Sequence, residues 1–133
     1  MPIAYLDVPE GAQIDKKKKL VQGICDALHE TYPFPDDTRI FLREWSIGSV
    51  SQNGRLGSEP MRPVLVMHVP QGVSIDAKRK MMQGINSAVA EAYHLPEFVI
   101  FMHEHPLDLG SVDGRLFSDN QGRVDAQKEA YGV

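Results

Sequence analysis

The sequence predicts an α+β protein in which two tandem β-α-β units build a four-stranded sheet with two helices on one face. Three observations lead there: the chain is written twice in one register, each copy runs strand–helix–strand, and the strands alternate their apolar and polar side chains. The run Val8-Pro9-Glu10-Gly11-Ala12-Gln13-Ile14-Asp15 returns as Val69-Pro70-Gln71-Gly72-Val73-Ser74-Ile75-Asp76. The same shift pairs Gln22-Gly23-Ile24 with Gln83-Gly84-Ile85, Tyr32 with Tyr93 and Pro35 with Pro96. Once a single residue is dropped, Ile40-Phe41 pairs with Ile100-Phe101, and Gly54-Arg55-Leu56 with Gly114-Arg115-Leu116. Pro2 aligns with Pro63. A repeat held in register over this length marks a duplicated structural unit.

The elements follow in order. An apolar strand at about residues 3–8 leads into a Pro-Glu-Gly turn. Asp15 is the expected N-cap of a helix at about 16–32, whose Leu20, Val21, Ile24, Ala27 and Leu28 recur at helical spacing. Pro33 and Pro35 are expected to stop it. A second strand is expected at about 39–45. The second copy repeats the pattern as a strand at about 63–69, a helix at about 76–93 and a strand at about 98–104. Units of this kind have parallel strands joined by a right-handed crossover. Gly23 and Gly84, at matching mid-helix positions, are expected to let each helix lie close on the sheet. The stretch from about Gly54 to Arg62 reads as a linker. The tail from about Ser118 is polar, and its stretch Val124–Tyr131 is expected to form a short helix or to pack on a neighbouring subunit. One domain of residues 1–133 is therefore expected, with repeats at about 2–56 and 63–116 and a tail at 118–133.

Composition narrows the function classes. With 133 residues, 42% apolar and 24% charged, the chain is an ordinary globular domain with room for a real core. A net charge of -4 offers no electrostatic footprint for nucleic acid. No apolar run approaches membrane-spanning length, and Asp7 interrupts the N-terminal apolar stretch, so neither membrane nor signal peptide is expected. The single cysteine, Cys25, excludes an intrachain disulfide and fits a reducing compartment, and the expected location is cytoplasmic.

Side-chain alternation places Ile40 and Leu42 on the helix-covered face of the sheet and Arg39, Phe41, Arg43 and Trp45 on the other. The second copy presents Val99, Phe101, His103 and His105 there. A face carrying large aromatics beside charges is expected to pair with other subunits or to line a site. His103 and His105 with His68 form a possible metal-ligand set only if a third nitrogen converges; no metal is expected. Lys16 to Lys19 reads as a solvated charge run.

Pro2 stands apart from all of these. Removal of Met1 would make it an N-terminal secondary amine, a group able to act as general base or nucleophile with no side-chain chemistry. The Pro2-Ile3-Ala4 strand, the Glu10-Gly11 turn, the helix, the strand Arg39 to Glu44 and the stretch around Gly48 resemble a 4-oxalocrotonate tautomerase subunit. Two such subunits in tandem, with Pro63 at the join, are similar to fused members of the tautomerase superfamily and to cis-3-chloroacrylic acid dehalogenase. The resemblance covers about residues 2–117.

That resemblance implies a two-layer fold assembling as a homotrimer, with Pro2 on the floor of a pocket. It implies a cofactor-independent keto-enol isomerase acting on a small enol or dienol carboxylate, with the proline amine moving the proton. Such an amine works best when an apolar setting lowers its pKa toward working pH. By the same resemblance Pro2 matches the catalytic proline and Arg39 the strand arginine that binds carboxylate. Arg43, Trp45 and His29 are further substrate-binding candidates. The chain also departs from the pattern: Ala12 and Val73 stand where arginines are expected, Pro70 where a basic residue is, Val112 where a water-activating glutamate is, and Phe101 where a tyrosine is. Hydrolytic dehalogenation is therefore disfavoured. A proline-dependent lyase or hydratase and a non-catalytic trimeric binding module are the alternative readings.

Overall fold

The computed structural model describes residues 2–32 and 38–132. Its elements are β1 (Ile3–Pro9), α1 (Ile14–Thr31), β2 (Arg39–Trp45), the short strands β3 (Ser51–Gln52) and β4 (Arg55–Leu56), β5 (Val64–Pro70), α2 (Ile75–Tyr93), β6 (Val99–His105), the short strands β7 (Ser111–Val112) and β8 (Arg115–Leu116), and α3 (Gln121–Tyr131). The main sheet has the order β2-β1-β5-β6. Within each copy the strands run parallel, and β1 and β5 meet antiparallel with Ile3 opposite His68 and Leu6 opposite Leu65. The α+β arrangement, the four strands of the main sheet and the two helices α1 and α2 agree with the sequence reading to within two residues.

The core is as duplicated as the sequence. Ala4, Leu6 and Val8 of β1 correspond to Leu65, Met67 and Val69 of β5, while Leu20, Ile24 and Leu28 of α1 correspond to Met81, Ile85 and Val89 of α2; all twelve are buried between sheet and helices. Every one sits at the same offset from its counterpart, because both helices present the same turn of the 3.6-residue period to the same face of the sheet. Even the braces repeat. Lys17 reaches Glu44 at 2.8 Å in the first copy, and Lys78 reaches Glu104 at 2.8 Å in the second. Lys17 thus leaves the solvated lysine run to tie its helix to the end of the neighbouring strand.

Four details differ from the sequence reading. First, α1 begins at Ile14, so its N-cap is Gln13, which makes no side-chain cap, and Asp15 lies inside the first turn where its charge favours the helix dipole. In the second copy Ser74 caps α2 by accepting from the Ala77 N–H at 3.2 Å. Second, the mid-helix glycines set the distance between the helices, not between helix and sheet. A Cβ on Gly23 would meet the Ala88 Cβ at 2.9 Å, and one on Gly84 would meet the Ala27 Cβ at 3.4 Å.

Third, the expected linker contains a hairpin: Asn53 and Gly54, both at positive φ, turn β3 into β4. Asp113 and Gly114 do the same between β7 and β8. Asn-Gly and Asp-Gly are the dipeptides that tight two-residue hairpins demand. Fourth, the tail forms a longer helix than expected, and it packs on its own chain. The Tyr131 hydroxyl donates to the Thr31 carbonyl at 3.2 Å, and the Gln127 amide lies 3.5 Å from the Gln71 carbonyl. Pro33 and Pro35 lie outside the described residues.

The two glycines give a matched test. Ala gains about 1 kcal/mol of helix propensity over Gly, whereas overpacking costs about 1–3 kcal/mol. At 2.9 Å the second effect wins; at 3.4 Å the first does. Gly84→Ala is expected to leave the protein at least about 1 kcal/mol more stable than Gly23→Ala, read by urea unfolding.

A second expectation concerns alkali. Burial raises the pKa of Tyr32, Tyr93 and Tyr131 above the ordinary tyrosine value of 10.0, that of Tyr131 to about 12. The unfolded chain loses these protons first, so stability is full below about pH 10 and falls as pH rises toward 12. Urea midpoints at pH 8 and pH 11 should differ accordingly, and Tyr32→Phe should shrink the difference.

Candidate active site

The antiparallel contact between β1 and β5 gives the sheet two related ends. At each end one copy starts its first strand where the other copy finishes both of its strands. Pro2 and Pro63 occupy equivalent buried positions just before β1 and β5. Each uses its carbonyl identically: Pro2 accepts from the Arg39 N–H at 3.1 Å, and Pro63 accepts from the Val99 N–H at 3.2 Å. Neither backbone nitrogen is required by a ladder, which suits a proline at a strand start. Only at the Pro2 end could that nitrogen be a free amine.

A cavity of about 240 Å³ opens at the Pro2 end. Its wall includes Ile3, which follows Pro2, and Val69, which the β1–β5 register continued by one step sets opposite Pro2. Pro70, Pro106, Leu107, Leu109 and Phe117 make most of the lining apolar, and the polar side chains are His68, His105, Ser111 and Arg123. Among the described residues, no carboxylate side chain lines it. Phe117 fills its place because Gly110 lies against it: a Cβ there would come within 2.5 Å of the ring. The Arg123 guanidinium sits 4.7 Å from the Phe117 ring centroid, a cation–π distance. Arg123 is positioned by the first turn of α3, where the Asn120 side chain accepts from the Arg123 N–H at 3.3 Å.

The histidines converge at this end. His68 Nδ1 and His105 Nε2 are 2.8 Å apart, and the His68 ring lies 5.1 Å from both the His103 and the His105 rings in stacked geometry. Burial, with His105 and His103 beside it, lowers the His68 pKa and favours its neutral form. Stacked rings bonded to one another do not aim three lone pairs at one point. Among the described residues, no cluster of three or more His, Cys, Asp or Glu could hold a metal ion.

The residues singled out in the sequence divide between the two ends. Arg39 starts β2 beside Ile3, one strand away from the cavity, at the Pro2 end. His29 lies at that end too, but on the helix layer, where its Nε2 is 2.9 Å from the Thr38 hydroxyl and 3.6 Å from the Cys25 thiol. Arg43 and Trp45 are brought together at the opposite end. Both converge on Asp7, at 2.8 Å from the guanidinium and 2.7 Å from the indole N–H.

His68, His105, Phe117 and Arg123 were not singled out as substrate-binding residues in the sequence. A signal for three of them exists in the places where the copies differ. His68 corresponds to Asp7, His105 to Trp45, and Phe117 to Gly57, while Gly110 corresponds to Val50. Arg123 lies beyond the repeat and has no counterpart.

No family model and no curated protein matches this chain. Solved structures do. A fused 4-OT asymmetric trimer is similar over 87% of this chain and 96% of its own, with TM-score 0.78 at 18% identity. Pt0534 inactivated by 2-oxo-3-pentynoate is similar over 86% of this chain and 94% of its own, with TM-score 0.74 at 18% identity. N1, a member of the cis-3-chloroacrylic acid dehalogenase family, is similar over 98% of this chain and 99% of its own, with TM-score 0.72 at 14% identity. The duplicated β-α-β units, the strand order and these likenesses together show that the chain has the tautomerase fold in its tandem, fused-repeat form.

Proposed function

We propose that this chain is a cofactor-independent tautomerase that moves a proton between oxygen and carbon of a small enol carboxylate, with Pro2 as the proton carrier once Met1 is removed. The observation that carries this reading is the position of Pro2: a buried strand start that shares its wall, through Ile3 and Val69, with an apolar cavity. An apolar wall disfavours the cationic amine and so moves the base toward neutral working pH. The neutral amine takes the enol proton, and the resulting secondary ammonium returns a proton to carbon. Bonds and charge balance with no other reagent.

Arg39 is the nearest of the sequence-predicted arginines to Pro2 along the sheet, and in this reading it supplies positive charge to that end of the site. Arg43 and Trp45, held on Asp7, are assigned to the subunit contact instead. The contact in question is a homotrimer. Phe41 at 47%, Trp45 at 40% and Phe101 at 61% exposure leave the helix-free face of the sheet uncovered within one chain, and the fused 4-OT structure above is a trimer.

Two measurements test the reading. The wild type should ketonise phenylenolpyruvate, and Pro2→Ala should lower kcat by about 10²–10⁴-fold, the range a positioned general base contributes. Equal rates from both proteins would discard the tautomerase assignment. Sedimentation equilibrium should return three chain masses, and Phe101→Glu should lower that value; a wild-type monomer would rule out the trimer.

A further inference from the structure

The helix-free face of the sheet carries one line of rings across all four main strands. Phe41 of β2 stacks on Tyr5 of β1 with centroids 5.4 Å apart, Tyr5 meets His68 of β5 edge-on at 6.2 Å, and His68 stacks on His103 of β6 at 5.1 Å. His105 joins at the cavity end, its ring 5.1 Å from that of His68 and its Nε2 2.8 Å from the His68 Nδ1. The line thus ends in three imidazoles gathered around His68. Phe101 stands two residues before His103 on the same face of β6, and both are exposed in the single chain. Because the ring contacts are continuous, a surface that covers Phe41 and Phe101 also covers His103.

We propose that the His68–His103–His105 cluster is an acid-sensitive switch on the contact between subunits: protons taken up by the cluster release the chains from one another. This rests on the homotrimer proposed above for the same face. At 2.8 Å, one of the two facing nitrogens donates and the other accepts, so the pair holds one proton between them. When both rings are charged, each facing nitrogen carries an N–H, and two donors cannot stay at that distance. His103, stacked on His68, adds a third like charge. In a free chain the exposed rings can turn into water; against a neighbouring subunit they cannot. Protons therefore bind the free chain more tightly than the assembled one, and such a difference is what shifts an equilibrium.

The groups around the cluster do not offset this charge. From β1, Tyr5 presents a ring, and Asp7 is held at the other end by Arg43 and Trp45. From β2, Arg39 lies on the same row and Arg43 sits 5.1 Å over the Tyr5 ring. On β6, Glu104 is turned to the helix layer, bonded to Lys78 at 2.8 Å. Arg123 of α3 shares the cavity with His68 and His105, whereas Asp108, between two lining residues, does not line it. Burial, with His105 and His103 beside it, lowers the His68 pKa from its ordinary 6.5. A histidine of lowered pKa contributes fully above the ordinary range, and its contribution is lost as pH falls through that range.

Sedimentation equilibrium of the full chain at about pH 8 and about pH 5.5, on either side of the histidine range, tests the switch. The chain concentration at half-assembly should rise at least about tenfold at the lower pH, the change that one unit of pKa difference between free and assembled chain produces. Far-UV circular dichroism should be the same at both. Replacing two imidazoles together, His68→Gln with His103→Gln, should flatten the pH dependence. His94→Asn, at the exposed C-cap of α2, should leave it as in the wild type. An assembly unchanged between the two conditions, or a pH response kept by the doubly substituted protein, overturns the switch while the trimer stands. A wild-type monomer at pH 8 discards the trimer and the switch together. Loss of the helical signal along with the assembly would place the acid sensitivity in the fold and likewise overturn the switch.

Discussion

The antiparallel seam between β1 and β5 is the constraint from which the rest of the structure follows. Each β-α-β unit alone has a two-stranded sheet and one helix, too little to bury an apolar face. Joining the units through their first strands doubles the sheet, brings Leu6 against Leu65, and lays the helices side by side closely enough that Gly23 must lack a side chain. The seam also crosses the two copies head to tail. The start of each first strand must then lie among the strand ends and loops of the other copy. The start of β1 is in this way set among residues more than sixty positions away, such as Val69 and His105, and a cavity forms there.

Much of this was legible in the sequence, because a repeat reports on itself. A core position in one copy is confirmed by its counterpart in the other, and a shared period of 3.6 fixes the buried face of both helices. Side-chain alternation correctly separated Ile40 and Leu42 from Phe41 and Arg43. The misreadings have local causes. The stretch from Gly54 reads as linker, and the hairpin it completes is missed, because two-residue strands are too short to show alternation. The glycines of the two helices were assigned to the sheet because a one-dimensional pattern does not say which neighbour needs the space; Ala27 and Ala88, each small and each facing the other helix's glycine, were the missing signal.

The site was harder to read for a different reason. Residue type alone points to Arg43 and Trp45, and the structure adds that Asp7, opposite Arg43 on the next strand, engages both. Strand pairing, which decides this, is invisible until the register is known. The histidines pointed the same way. A pair on one strand with a third on another suggests a metal, and only the stacked rings and the 2.8 Å nitrogen contact show a hydrogen-bonded pair instead. Divergence between the copies is the more useful guide. Where the core needs both halves alike, they stayed alike. The cavity end differs, with glycine where the first copy has Val50 and phenylalanine where it has Gly57.

A duplicated chain also meets an asymmetry that no substitution can remove. Pro63 reproduces the burial and the carbonyl bond of Pro2, but its nitrogen is a tertiary amide with no basic lone pair. In the proposed reading, one end of the pseudo-symmetric sheet hosts amine chemistry and the other cannot. An end without that chemistry can be closed by its own residues, and the Asp7–Arg43–Trp45 cluster is such a closure. At the other end His68 and His105 stand in the places of Asp7 and Trp45 and bond one another instead.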